Sequence, residues 1–245
     1  MNRRNLIESA AIATSLAVWL ATPAPAASPQ QLPRLDSRSA RNDAYGLDVP
    51  RPAGAYDLEP PAITAGTPYD ARLFPVALRL SAPEGDWLGG EGQSLQIQTR
   101  APAFGWIELL YAPAGRPRGA IFAITSYGRT PSVAATVDGL RSRGSGAAYQ
   151  PSTPVKVAGF SGTQLDGTVV GASHVFVPFS PPAHRAAFYP DAFKLGHGEL
   201  FRILVLDIKG KTVAFFIENA ALPAAQFPSF LNTANQVLGS VRLGG

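Results

Sequence analysis

The chain reads as an α+β protein built on antiparallel strands, and three observations lead there. Residues 201–208 are mostly apolar, Lys209-Gly210 can take the positive φ values that a two-residue hairpin turn demands, and 211–217 run back as a second strand. After a break at 219–223, apolar residues recur at Phe227, Phe230, Leu231, Ala234, Val237, Leu238 and Val241, the spacing of one helical face. A helix of that kind has to fold back onto the hairpin. Upstream, short strand-like runs succeed one another as sequential neighbours, which favours antiparallel pairing.

Taken in order, the chain opens with Arg3 and Arg4, continues through a weakly polar start to an apolar run over 10–21, and closes on Ala24-Pro25-Ala26. A positive start, a short apolar centre and small residues at the minus-three and minus-one positions describe a signal peptide, residues 1–26, cut after Ala26. The apolar run falls short of the roughly 20 residues that a bilayer-spanning helix needs. A retained integral anchor is therefore the poorer reading. The arginine pair also resembles a twin-arginine signal, but Glu8 intrudes where that signal is apolar, so Sec and Tat export both stay open.

Residues 27–72 are rich in Pro, Ala, Arg and Asp, with Pro29, Pro33, Pro50, Pro52, Pro60, Pro61 and Pro68 dispersed through them. Prolines remove backbone donors and bias their neighbours toward extended conformations, and no apolar period survives there. The segment reads as a flexible tether. Residues 73–245 then form one globular α+β domain, within the usual domain size of about 100–200 residues.

Within that domain Phe74, Val76, Leu78 and Leu80 alternate with other residues as in a half-buried strand, and 83–92 read as a loop from their Gly, Pro and Glu content. Leu95 and Ile97 suggest a short strand, followed by strands over 103–111 and 119–125 around a turn at 113–117. Thr130-Pro131 marks a helix start, where a hydroxyl can cap free amides and proline supplies a preset φ. Val133, Val137 and Leu140 share one face of this helix, Arg141 and Arg143 sit near its negative end, and Gly144 can close it. Strand-like pieces follow at 155–158, 163–165, 169–170 and 175–179, with a turn expected at Asp166-Gly167. Residues 180–197 are irregular, broken by Pro181, Pro182, Pro190 and Gly196, and such length without a pattern suggests a partner-facing loop.

Composition removes several function classes. With no cysteine there is no disulfide framework, no thiolate metal ligand and no lipid attachment of the lipoprotein kind. The net charge is +4; losing Arg3, Arg4 and Glu8 with the leader takes 21 basic and 17 acidic residues to 19 and 16, or +3. The basic residues are dispersed, so nothing here forms the footprint of a nucleic-acid binder.

Three places carry a family likeness: the helix over 131–143, the segment from Pro154 through Gly159-Phe160-Ser161-Gly162 to Leu165-Asp166-Gly167, and the hairpin with its closing helix. On these the domain resembles the Mog1/PsbP-like fold group, including its secreted members in bacterial envelopes. The resemblance implies an antiparallel β-sheet flanked by helices on both faces, an α/β/α sandwich. It implies adaptor or accessory roles and no shared catalytic constellation, so no site residue is transferred.

Gly159-Phe160-Ser161-Gly162 superficially suggests a nucleophilic serine, with His174, His184 or His197 as base and Asp166, Asp191 or Asp207 as acid. Thr163 stands where the last glycine of the elbow belongs, which favours a plain tight turn. Asp191, His197 and Glu199 carry metal-ligand atoms but no two histidines at ligand spacing, which favours solvated loop groups. Trp87, Trp106, Tyr111, Tyr127 and Phe160 could line an apolar cavity, but interleaving with strand aliphatics favours core. The expectation is an exported, non-catalytic binding or accessory module of the bacterial cell envelope that recognises a protein or envelope component. Carriage of a small apolar ligand is the alternative and hydrolysis the third reading; no cofactor, metal or catalytic residue is assigned, and binding residues stay unknown.

Overall fold

A computed structural model describes residues 62–63, 69–71, 74–95, 102–113, 118–142, 146–176, 178–179, 194–219 and 222–243. In chain order the strands are β1 (Ala62–Ile63), β2 (Tyr69–Asp70), β3 (Leu78–Leu80), β4 (Trp87–Leu95), β5 (Pro102–Tyr111) and β6 (Gly119–Ser126). Helix α1 (Val133–Ser142) follows, then β7 (Ala147–Tyr149), β8 (Thr153–Val157), β9 (Phe160–Val169), β10 (Ser173–Val175), β11 (Lys194–Gly196), β12 (Leu200–Ile208) and β13 (Lys211–Glu218). A 3-10 turn (Ala224–Gln226) leads into α2 (Phe227–Ser240), and β14 (Arg242–Leu243) closes the described chain. Mostly antiparallel sheet with two helices is thus the architecture of these residues.

Nine of the strands form one antiparallel sheet in the order β1-β4-β5-β6-β13-β12-β9, with β7 and β8 end to end along the outer side of β9. The order follows from the chain path. β4, β5 and β6 make a meander, the chain then crosses through α1 to the far edge, and the β12–β13 hairpin returns to fill the middle. There β13 pairs with β6 from Ala214–Ile124 to Glu218–Ala120. The β12–β13 turn is as the sequence demands, with Lys209 at φ 53° and Gly210 at φ 79°.

Because successive side chains of a strand point oppositely, the apolar runs of β6, β12 and β13 feed two cores. One holds Ile121, Ala123, Leu204, Leu206, Ile208, Val213, Phe215 and Ile217 with Phe227, Phe230, Ala234, Val237, Leu238 and Val241 of α2 and its end. Hairpin and closing helix therefore share one interior. The intervening positions Phe122, Ile124, Phe201, Ile203, Val205, Ala214 and Phe216 join a second core with Val137 and Leu140 of α1. Each fully buried Leu, Ile, Val or Phe contributes about 1.5–3 kcal/mol. The end of α2 is pinned where Ser240 Oγ bonds the backbone of Ser81, 2.9 Å from N and 3.0 Å from O, and β14 pairs with β3.

Four local expectations are corrected. Residues 83–92 are not all loop, because β4 begins at Trp87 and its glycines lie along a regular register with β5. Asp166-Gly167 is no turn: β9 runs straight through it, and a Cβ on Gly167 would collide with Ala148 O and the Phe201 ring, so the glycine serves close strand approach. The α1 cap is Ser132, whose Oγ accepts from Ala135 N at 3.2 Å, while Thr130 Oγ1 accepts from Thr212 N at 3.0 Å. The irregular stretch 180–197 contains β11 at its end, with 180–193 outside the described residues. Two short strands, β1 and β2, also fall within the span assigned to the tether. Residues 1–26, and Ile97 of the expected short strand, lie outside the described residues.

Candidate functional site

The concave feature best defined by its frame lies between the loop from β6 to α1 and the turn of the β12–β13 hairpin. The hairpin side is rigid because Asp207 Oδ1 accepts from Gly210 N at 2.7 Å across a turn whose two residues already sit at positive φ. Lys211 then ties the loop down. Its ammonium has three donors, and they go to the backbone carbonyls of Ser126 and Tyr127, each at 3.2 Å, and of Gly128. Thr212 completes the junction: its N–H donates to Thr130 Oγ1, its hydroxyl donates to Pro131 O at 2.5 Å, and its carbonyl accepts from Thr125 Oγ1 at 2.7 Å.

Between these segments is a groove of about 610 Å³, lined among others by Arg129, Ser132, Val133, Asp207 and Lys211. Its floor includes the N-terminus of α1, where free amides and the helix dipole favour negative charge. The hydroxyls of Thr130, Ser132 and Thr212 are all engaged in holding the frame. What remains for a visitor is the exposed Arg129 on one wall and the exposed Asp207 on the other. Such a groove can grip a polar partner through both signs of charge, and it contains no nucleophile paired with a base. Nearby, burial, followed by the Glu91 carboxylate, raises the Tyr127 phenol above its ordinary 10.0.

The candidates read from sequence are scattered. Ser161 is exposed on β9, next to Gly162, which pairs with Leu206. Gly198 and Glu199 instead lie beside Val169, through Gly198 N to Val169 O at 2.8 Å and Val169 N to Glu199 O at 2.9 Å. A strand rises about 3.3 Å per residue, so Ser161 and the His197 turn are separated by about 26 Å along β9. His174 belongs to that same distant end, its ring against Gly146, whose carbonyl accepts from Val170 N. Neither histidine is therefore in reach of Ser161. Asp166 is committed to Arg202, with Nε–Oδ1 2.6 Å and Nη2–Oδ2 2.9 Å, and to Gln164 Nε2 at 2.7 Å. His184 and Asp191 lie outside the described residues.

The metal candidates fare similarly. His197 is exposed with Nδ1 3.1 Å from Gly171 O, and Glu199 Oε2 accepts from Gly196 N at 2.6 Å, a local turn. Among the described residues no cluster of three His, Asp or Glu could hold an ion. Four of the aromatic candidates are packing residues: Trp87 and Trp106 are buried, Trp87 meets Tyr111 at 5.3 Å, Tyr111 stacks on Phe230 at 6.0 Å, and Phe160 is half-buried at the margin of the α2 core.

Sequence reading passed over two buried carboxylates, Glu91 and Glu108, both engaged by other groups. Glu108 was detectable as a charge interrupting the apolar run Trp106-Ile107-Glu108-Leu109-Leu110; Glu91 was masked by its glycine neighbours. It also passed over the groove, whose parts lie some 80 residues apart in sequence, as Thr212 and Thr130 do.

No protein-family model matches the chain, and no curated protein matches it. Among solved structures it is similar to the cyanobacterial PsbP of Synechocystis sp. PCC 6803, at 12% identity and a TM-score of 0.37, over 68% of this chain and 86% of that one. It is similar to PA94 of Pseudomonas aeruginosa, a protein of unknown function, at 13% identity and a TM-score of 0.31, over 71% and 96%. It is also similar to LpqN, involved in cell envelope biogenesis of Mycobacterium tuberculosis, at 12% identity and a TM-score of 0.29, over 74% and 87%. These are likenesses of fold. Among the described residues no helix is long and apolar enough to cross a membrane.

Proposed function

We propose that this chain is an exported, non-catalytic binding or accessory module of the bacterial cell envelope, recognising a protein or envelope component in the groove beside α1. In this reading residues 1–26 are a cleaved leader, 27–72 a tether whose last stretch joins the sheets through β1 and β2, and 73–245 the body of one domain whose sheet carries a helix on either face. The observation that carries the proposal is the groove's frame. Its hydroxyls and its lysine are consumed in bracing two loops against each other, leaving Arg129 and Asp207 as the charged groups on the walls of a braced cleft.

A cleft held this way is suited to recognition, since the two loops that frame it are braced against each other before a partner arrives and little backbone ordering is needed on binding. The apolar-carrier alternative has less support, because Trp87 and Tyr111, two of the residues that would line its cavity, pack on each other, and Tyr111 stacks on Phe230 of α2. The test is site-specific photo-crosslinking in envelope fractions from a position in the groove, Arg129, and from a control on the exposed side of α2, Asn235. A discrete adduct from the groove position alone, weakened by Asp207→Ala, supports the proposal. Equal adducts from both positions, or none from the groove, overturn it. Intact mass of the protein recovered outside the cytoplasm tests the leader separately: a chain still carrying residues 1–26 refutes the cleavage.

A further inference from the structure

β10 and β11 form a ribbon of their own, three residue pairs long and separate from the nine-stranded sheet. Of its paired residues, Ser173 and Val175 are exposed and Gly196 is half-exposed, whereas His174 and its direct partner Leu195 are buried. The seat of the ribbon therefore includes an imidazole, 7% exposed. Its ring stands edge-on to Phe176 at 4.6 Å and 79°, and Phe176 packs in turn against Phe201 at 4.7 Å and Phe216 at 5.7 Å in the main sheet. On the other side the ring fills the place of a side chain at Gly146, where a Cβ would lie 2.7 Å from Nδ1.

Around it the ionisable groups are turned to other tasks. On the β11 side, His197 Nδ1 contacts Gly171 O and Glu199 holds Gly196 N. On the α1–β7 side, Arg141 donates to Gln150 O at 2.6 Å and the Tyr149 hydroxyl donates to Leu140 O at 3.1 Å. Lys194 adjoins Leu195 in β11. Among the described residues no hydrogen bond reaches the His174 ring. A proton taken up there would put a charge on a ring that is mostly withdrawn from water and set edge-on against Phe176, which costs free energy in an apolar seat.

We propose that His174 is a proton-operated latch: as the neutral imidazole it seats the β10–β11 ribbon on the sheet, and on protonation it lets the ribbon lift. The direction of linkage agrees. Burial lowers the His174 value below its ordinary 6.5, so seating is complete above that pH and weakens as acid is added. If the lifted ribbon frees the ring to titrate normally, the lifted fraction rises as pH falls below 6.5. The inference stands on the ribbon's own geometry and does not depend on the proposed function.

Amide exchange of the full mature chain, corrected for its intrinsic pH dependence, is the measurement. Peptides covering 173–176 and 194–196 should lose protection progressively from pH 7 to pH 5, while β12 and β13 do not. His174→Phe should flatten this response and His197→Asn should keep it. Should His174→Phe fail to fold, histidine ring resonances of the wild-type chain decide: a His174 midpoint below 6.5 upholds the latch. Unchanged ribbon protection down to pH 5, the same loss in His174→Phe, or a ring midpoint at or above 6.5 overturns it.

Discussion

The contact between Gly119 and Phe230 offers a sharp test of the seal between sheet and closing helix. Gly119 opens β6, and a Cβ placed on it would lie 2.6 Å from Cε1 and Cζ of Phe230 and 2.8 Å from Cδ1. The ring cannot simply retreat, since its own position is 3% exposed and Tyr111 stacks on it at 6.0 Å. Gly119→Ala should therefore overpack the site and cost about 1–3 kcal/mol. Phe230→Ala should open a cavity and cost about 3–5 kcal/mol. With the ring gone, the new methyl enters vacated space, so the double variant should be more stable than the sum of the two by about 1–3 kcal/mol. The cycle cancels the general advantage of alanine over glycine in a strand, which a single variant would confuse with the clash. Urea unfolding followed by circular dichroism measures all four proteins, and each kcal/mol corresponds to about 2–4 °C in Tm for a domain of this size. Additivity within about 0.5 kcal/mol would mean that Phe230 does not cover Gly119, and the seal of α2 over β6 would have to be abandoned.

Other consequences are simpler. Ala158 turns the β8–β9 hairpin at φ 51°, a left-handed conformation that costs a residue with a Cβ about 1–2 kcal/mol, so Ala158→Gly should stabilise the fold by about 0.5–1 kcal/mol in urea melts. Tyr149 is pushed up to about 12 by burial, with Arg141 acting against the shift. Its raised value makes a contribution to stability that is whole below pH 10 and disappears as pH rises toward 12; Tyr149→Phe should erase that alkaline phase in pH-dependent melts and cost about 0.5–1.5 kcal/mol at neutral pH for the lost bond to Leu140 O. Ser161→Ala, at an exposed strand position remote from His174 and His197, should leave stability within about 0.5 kcal/mol and leave any measured ester or phosphoester turnover unchanged.

Legibility in the sequence followed the range of the interactions. The β12–β13 hairpin and α2 could be read because their determinants are local: a turn that needs positive φ at Lys209 and Gly210, and an apolar spacing repeated from Phe227 to Val241. β4 was misread over part of its length because Gly89, Gly90 and Gly92 look like a loop until β5 is known to pair with them. Asp166-Gly167 carries the composition of a turn, yet the partner strands on both sides of β9 overrule it. The groove could not be foreseen at all. Its existence depends on Lys211 and Thr212 meeting Ser126 to Pro131, a contact that only the placement of β13 beside β6 creates.

That placement has a bearing on biogenesis. β13 is the keystone of the large sheet, wedged between β6 and β12, yet every other strand of that sheet precedes it in the chain. A nascent polypeptide that has emerged only as far as β12 holds two unjoined half-sheets, each with a row of bare amides and carbonyls facing outward, the kind of rim that zips onto neighbouring copies. Stop codons or proteolysis just upstream of Lys211 should thus yield sticky fragments, while those same halves become soluble partners once the keystone drops in.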